Sequence, residues 1–280
     1  DCYAKQEDYS AACDYYKTAV EIDPNNSSYY RDYAIALAYC GETDRSEEIL
    51  DSARDQGLDS VEVSYVKGEI LFNTGDYQGA KQIFLNSIDD TEDSYTKMRA
   101  YIMTCRCIDN LDSSINGKNE KISLLEKASK EIGRENNIGI LEELAQTYCD
   151  AGDETDNAEY YRKAIGVFEQ IEKQDMADYD TEYNMAVLYQ NIHDYASAEN
   201  KLNHILDVYG ENYRTYKSLA FLEVAEQSAL SADKRNYSKF EQYYRKSKEL
   251  YQKTDVSNAN DVEMDRLDDL YQQAVDSGWL

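Results

Sequence analysis

Residues Tyr3–Asn26 read Y-A-K-Q-E-D-Y-S-A-A-C-D-Y-Y-K-T-A-V-E-I-D-P-N-N. Behind Asp8-Tyr9 stand a small residue, a large aromatic and a second small residue, Ala12, Tyr16 and Ala19, at spacings of three, four and three. The stretch closes on Asp23-Pro24-Asn25-Asn26. Such spacing lines one face of a helix. The pattern then returns along the chain. With Ser27 as position 1, Tyr30, Tyr33, Ala34, Leu37, Gly41, Ser46, Leu50 and Ala53 fall at positions 4, 7, 8, 11, 15, 20, 24 and 27. Val61 starts the next unit 34 residues on (61 − 27), with Gly68, Leu71, Gly75-Asp76-Tyr77, Ala80, Phe84 and Ser87 in the same register. Further units begin at Tyr95, Ile138, Tyr179 and Tyr213. A period of this length marks stacked units that bury their apolar faces only against their neighbours.

The register resembles the tetratricopeptide (TPR) repeat, whose unit is two antiparallel helices, A and B. The resemblance implies an all-α fold: TPR helix-turn-helix repeats forming a right-handed superhelical solenoid. It implies an array of about seven repeats over residues 1–255, the first truncated inside its helix A, and a C-terminal capping helix within residues 256–280. Position 8 must be small, because helix B of the same repeat crosses closely there. It is Ala34, Gly68, Ala145, Ala186 and Ala220 in five repeats, with Ile102 the exception. Repeats 4, 5 and 7 carry extra residues between their helices. Asp112–Asn119 reads as a loop, whereas Glu154–Tyr161 and Ser231–Lys239 are compatible with extended helices. The final helix is expected over Asn260–Ser277, with Gly278 as a left-handed stop and Trp279 folded back on its last turn.

Composition narrows the function. Lys and Arg number 29 and Asp and Glu 56, so the net charge of the 280 residues is −27 (29 − 56). That argues against nucleic acid as a partner, since phosphate binding needs a basic face, and against a polybasic hold on lipid. No apolar run approaches the ~20 residues of a membrane span; the longest is Tyr33–Cys40. One Pro and twelve Gly suit long helices, and 27 Tyr suit rings that pack while their hydroxyls reach water or backbone. The chain begins at Asp1 with no secretory signal after it, as expected of a processed protein or a piece of a longer one.

No chemistry-bearing constellation stands out. The six cysteines (Cys2, Cys13, Cys40, Cys105, Cys107 and Cys149) form no C-x-x-C and read as free, mostly buried thiols. His193 sits in an A–B turn and His204 at position 26 of a helix B, outside the apolar stripe, and neither has an evident metal partner. Phosphate loops, zincin, nucleophile-elbow and calcium-loop spacings are absent from the sequence. The expectation is a protein that is not an enzyme and takes no cofactor and no metal.

In TPR proteins the concave groove is lined by helix A at positions 2, 5, 9, 12 and 13. Carried over, these give Arg31, Tyr39, Tyr65, Phe72, Arg99, Arg106, Tyr183, Arg214, Lys217 and Phe221 as peptide-binding candidates, together with Glu62, Glu69, Glu142, Asp150 and Asp180. Five bases face five acids, so the groove is near neutral in an acidic chain. The Lys at position 5 and Asn at position 9 that clamp a C-terminal carboxylate in one TPR subclass are missing, which disfavours chaperone-tail binding.

The expected function is non-catalytic binding of a protein or peptide in the groove, by a monomer or weak homo-oligomer without membrane insertion of its own. The ending L-Y-Q-Q-A-V-D-S-G-W-L, Leu270–Leu280, and the truncated first repeat also resemble the extracytoplasmic TPR region of bacterial membrane Ser/Thr kinases. That resemblance implies a sensor or interaction region of a larger kinase. A free-standing cytoplasmic adaptor is the alternative, so two locations stay open: outside the membrane or in the cytoplasm.

Overall fold

Helices account for most of the described residues. A computed structural model describes residues 9–57, 59–134, 137–253 and 261–280. Among them are fourteen α-helices, one short 3-10 turn and no strand. In chain order the helices are α1 (Tyr9–Ile22), α2 (Ser27–Tyr39), α3 (Thr43–Asp55), α4 (Ser60–Asn73), α5 (Tyr77–Asp89), α6 (Ser94–Leu111) and α7 (Ile115–Glu131). They continue with α8 (Ile138–Thr155), α9 (Ala158–Glu172), α10 (Tyr179–Asn191), α11 (Tyr195–Tyr209), α12 (Tyr213–Ser228), α13 (Ser238–Lys253) and α14 (Val262–Asp276). The expected first helix A, before α1, and residues 256–260 of the expected terminal segment lie outside the described residues. The chain forms two compact units, residues 1–151 and 152–280. Within each, consecutive helices pack as hairpins. The even-numbered helices α2, α4, α6, α8, α10 and α12 are the A helices of the register.

Ten of the helix starts are written locally. The side chains of Asn26, Asp59, Asp76, Asp93, Ser114, Asn157, Asp178, Asp194, Asn212 and Asp261 each accept a bond from a backbone N–H of the first turn. Such caps satisfy donors that the helix leaves unpaired, and a carboxylate there also meets the positive end of the helix dipole. Asp93 and Asp178 accordingly ionise below the usual carboxylate range, held there first by the Thr96 and Thr181 backbone N–H groups. Part of the chain's acidity is thus spent on starting helices. The A–B turns need left-handed backbone: Gly41 and Gly75 have φ of +79° and +90°, and His193 takes the same place at +61°.

The small residue at position 8 is explained by what faces it. A Cβ built on Gly68 would stand 2.7 Å from Cε1 of Phe84 on α5, so the α4–α5 crossing leaves no room for a methyl group. In the hairpin before it, Ala34 is fully buried and its carbonyl accepts from Ser46 Oγ at 2.7 Å. Many tyrosines pack their rings and pair their hydroxyls. Tyr101 donates to Glu131 at 2.6 Å, Tyr161 to Asp153 at 2.7 Å and Tyr244 to Asp268 at 3.0 Å.

Several expectations are corrected. Asp112–Asn119 is not a loop: only residues 112–114 are outside helix, and the extra length of repeat 4 is shared by α6 and α7. Ser231–Lys239, expected as helix, is mainly loop around the 3-10 turn Ala232–Lys234. In repeat 5 the helices do lengthen, broken only at residues 156–157, where Asp156 has φ of +51°. Gly152, fifteenth from Ile138 as Gly41 is from Ser27, lies inside α8, where a Cβ would stand 2.5 Å from Cε1 of Tyr161. Gly278 ends α14 with φ of +69°, the Trp279 N–H returns to the Ala274 carbonyl at 2.9 Å, and the Trp279 ring stacks on Tyr237, centroids 5.1 Å apart. The described cysteines are also less buried than expected: Cys105 and Cys107 are buried, Cys13 and Cys149 half-buried, and Cys40 exposed. Cys2 lies outside the described residues.

Candidate functional site

The A-helix face of the first unit is a network of charges around one tyrosine. Glu62, at position 2 of α4, accepts from Arg99 Nη1 at 3.2 Å and lies 4.0 Å from Arg31 Nη1. Arg31 is also held by its neighbour Asp32 at 3.0 Å. The Arg99 guanidinium sits 4.0 Å over the Tyr65 ring, and that ring is tilted against Phe84 with centroids 5.1 Å apart. Tyr65 is only 3 % exposed, and burial pushes its hydroxyl up to about 12. It therefore supports Arg99 from beneath and offers no open ring face. Tyr39 is 38 % exposed and stacks on Tyr9 at 4.2 Å. Phe72 packs edge-on against Tyr77 at 5.3 Å. Arg106 is exposed, and its guanidinium lies 3.7 Å from Met103 Sδ.

Glu69, at position 9 of α4, is the group this face leaves unsatisfied. It is half-buried and accepts no hydrogen bond among the described residues. Burial raises its pKa above the ordinary 4.5, and the nearby Arg99 and Arg31 offset that only in part. The sign for stability follows. A carboxyl with a folded pKa above its unfolded one burdens the fold once ionised. The burden is absent below the unfolded value and grows as pH rises through the folded one. Glu69→Gln is expected to melt higher than the unmodified protein at neutral pH, with the difference vanishing below the carboxyl's unfolded pKa. Thermal melts at the two pH values check this, and a lower neutral-pH melting temperature for the variant would contradict it.

The second unit holds a cavity of about 430 Å³. Its walls are Tyr183, Val187, Gln190 and Asn191 of α10, Ser218, Phe221, Val224 and Ala225 of α12, and Glu263, Arg266 and Leu270 of α14. Seven of the eight residues from α10 and α12 occupy groove positions 5, 9, 12 or 13; Ser218 is the other. Tyr183 and Ser218 join their hydroxyls at 2.6 Å across the two helices. The Arg266 guanidinium stands 5.7 Å over the Phe221 ring and forms no ion pair among the described residues. Lys217 behaves differently. It is 5 % exposed, and its Nζ is held by Asp261 at 2.8 Å and Glu263 at 2.7 Å. Burial alone would lower its pKa; the bonds to Asp261 and Glu263 outweigh that and raise it. Lys217 ties α14 to α12 instead of pointing at open space. Arg214 is exposed beside the Tyr213 hydroxyl.

The sequence positions thus converge in two places. Arg31, Tyr65 and Arg99 meet in the first unit with Glu62 and Glu69, and Tyr183 and Phe221 meet in the second. Arg266, Leu270 and Ser218 were missed. The first two lie on α14, which reads from sequence as a cap; continuing the A-helix register one step past repeat 7 would have placed that helix as a third wall. Neither histidine lines the cavity of the second unit. His193 Nδ1 is 3.1 Å from the Tyr195 hydroxyl, and His204 Nδ1 is 2.5 Å from Glu182 Oε2. Among the described residues no three His, Cys, Asp or Glu side chains gather as metal ligands, and no helix is long and apolar enough to cross a membrane.

Comparison with known proteins agrees with this architecture. Residues 3–70 match the tetratricopeptide repeat model. No curated protein matches the sequence. Among solved structures, the C-terminal part of a TPR repeat-containing protein from Cytophaga hutchinsonii is similar at 15 % identity, with a TM-score of 0.61 over 95 % of this chain and 96 % of that one. The apo form of RapI is similar at 16 % identity and TM-score 0.51, over 91 % and 78 % of the two chains. MamA from Desulfovibrio magneticus RS-1 is similar at 14 % identity and TM-score 0.50, over 71 % and 98 %. At such identities the likeness is one of fold, and the fold is that of tetratricopeptide-repeat proteins.

Proposed function

We propose that the chain is a non-catalytic scaffold that binds a protein segment on its A-helix faces, with the cavity of the second unit as the principal seat. The observation that carries this reading is Arg266: an exposed cation with no acidic partner among the described residues, poised over Phe221 at the mouth of a cavity built from groove positions. Val187, Phe221, Val224 and Leu270 supply apolar wall, and Gln190 and Asn191 supply amide donors and acceptors. A peptide with a large apolar side chain next to a carboxylate fits that chemistry, because a guanidinium can hold a carboxylate through two parallel bonds. In the first unit Arg99, Arg106, Tyr39 and Phe72 add a second contact face. The net charge of −27 repels strongly acidic partners, so the ligand is mildly basic or amphipathic with one or two acids.

Selection of a random peptide library on the full chain tests this. Selected sequences should share an apolar residue beside an acid. Arg266→Ala and Phe221→Ala should each weaken the selected peptides by about 1.5–3 kcal/mol. Lys173→Ala, an exposed change at the end of α9, should leave affinity unchanged. Full affinity in both cavity variants would move the site elsewhere. The narrower reading, the sensor region of a membrane Ser/Thr kinase, rests on the resemblance carried by Leu270–Leu280. The gene sequence upstream of Asp1 tests it.

A further inference from the structure

Two thiols outside both contact faces stand against each other in the first unit. Cys13 lies on α1 and Cys40 caps the C-terminal end of α2, and their Sγ atoms are 3.7 Å apart across 27 residues of sequence. The crossing that brings them together is fixed by packing of α1 on α2. One helical turn before Cys13, the Tyr9 ring lies flat on that of Tyr39, the residue before Cys40, with centroids 4.2 Å and planes 9° apart. The aromatic stack and the thiol pair therefore clamp the same crossing. Cys105 and Cys107, by contrast, are buried on α6.

We propose that Cys13 and Cys40 form a redox-linkable pair, which a small-molecule disulfide of the glutathione class converts into a bond fastening α1 to the end of α2. A disulfide needs the sulfurs at about 2.05 Å, and side-chain rotation of exposed Cys40 shortens the gap. Cys40 is the sulfur the oxidant reaches first. Its thiolate attacks one sulfur of the reagent and expels one thiolate, leaving a mixed disulfide. Cys13 then gives up its proton to solvent and attacks the Cys40 sulfur, expelling the second thiol. The protein loses two protons and two electrons, and the reagent disulfide is reduced to two thiols. Burial, with the Cys40 contact added, pushes the Cys13 thiol up to about 12, so it stays protonated at neutral pH and the second step quickens as pH rises.

The test treats the full chain with oxidised glutathione at mildly alkaline pH and reads it by mass spectrometry before and after trypsin. The expected result is an intact mass lower by about 2 Da and a linked pair of tryptic peptides, Gln6–Lys17 and Asp32–Arg45, each with a single cysteine. Dithiothreitol should release the pair. Cys13→Ser should instead hold a stable glutathione adduct on Cys40, and Cys2→Ser should still form the link. The linked protein should melt higher than the reduced one, because the bond restricts the unfolded chain. A lasting adduct on Cys40 with Cys13 still alkylatable in the unsubstituted protein, or a link from either residue to Cys2, would overturn the proposal. An unchanged or lower melting temperature would show that the bond does not fasten the crossing.

Discussion

Phe84→Ala is expected to cost the first unit about 3–5 kcal/mol, the range for removing a large aromatic from a packed core. The ring is fully buried, and it fills the gap that Gly68 leaves in the α4–α5 crossing. The wall opposite is helix backbone, which cannot collapse into the space as a side chain could. Tyr65 would lose its tilted partner, and Arg99, which rests on Tyr65, would lose its footing. The same contact fixes the sign of the reverse change. Gly→Ala inside a helix ordinarily gains about 1 kcal/mol. Gly68→Ala should instead destabilise, because a Cβ 2.7 Å from a buried ring forces one helix away from the other. Placing Phe84→Leu in the Gly68→Ala background should recover part of that loss. Urea unfolding followed by circular dichroism measures all three. A Phe84→Ala variant within about 1 kcal/mol of the parent, well below the range for a truncated core aromatic, would show that the ring does not hold the crossing.

The features readable from sequence are those in which one position answers to one local constraint. A small residue at position 8 leaves room for a helix-B side chain, as Gly68 does for the Phe84 ring, and it recurs in repeats 2 to 7 except the fourth. Asp and Asn caps follow from unpaired N–H groups and mark where helices start. The lengthened repeats obey no such constraint. Extra residues can enter as helix or as loop, and composition misled in both directions. Asp112-Ser113-Ser114 looks like the start of a long loop, yet Ser114 is a cap, its Oγ accepting from the Asn116 N–H at 3.2 Å, and helix follows at once. Ser231–Lys239 has the composition of a helix, but Arg235 turns back to the Leu230 carbonyl at 3.0 Å and the segment stays open.

The groove was legible as a list of positions and not as a set of partners. Position 5 carries Arg31, Arg99 and Lys217, but whether a charge there is available depends on residues distant in sequence. Lys217 is consumed by Asp261, 44 residues on (261 − 217), and Arg99 by Glu62, 37 residues back (99 − 62). Arg266 forms no ion pair among the described residues; Glu263, one turn before it, is held instead by Lys217 at 2.7 Å. The register puts Arg99 and Lys217 on A helices, and only the fold shows that both are tied up in ion pairs.

Gly117→Ala is expected to be among the most damaging small substitutions in the chain. Gly117 lies in the first turn of α7, directly over the end of α6. A Cβ there would stand 1.8 Å from the carbonyl oxygen of Asp112 and 2.9 Å from its carbonyl carbon. Unlike the Gly68 contact, this one is with backbone, so no side-chain rotation relieves it. The turn it would displace is held at several points. Asp112 Oδ1 accepts from the Ser114 N–H at 3.0 Å, its own N–H donates to the Ile108 carbonyl at 2.7 Å, and bonds from Ser114 hold its carboxyl below the usual range. Moving the Asp112 carbonyl therefore breaks the end of α6 and the cap of α7 together. Lost caps cost ~1 kcal/mol each and overpacking ~1–3 kcal/mol, so a total of about 2–4 kcal/mol is expected. Gly166→Ala is the control. Gly166 is interior to α9 and nothing lies within 4 Å of a Cβ built there. With the steric term absent, that change should stabilise the second unit by about 0.5–1 kcal/mol. The pair is measured by urea unfolding of the two single variants. Equal shifts of the same sign would mean that helix propensity, rather than the close approach of α6 to α7, governs both sites.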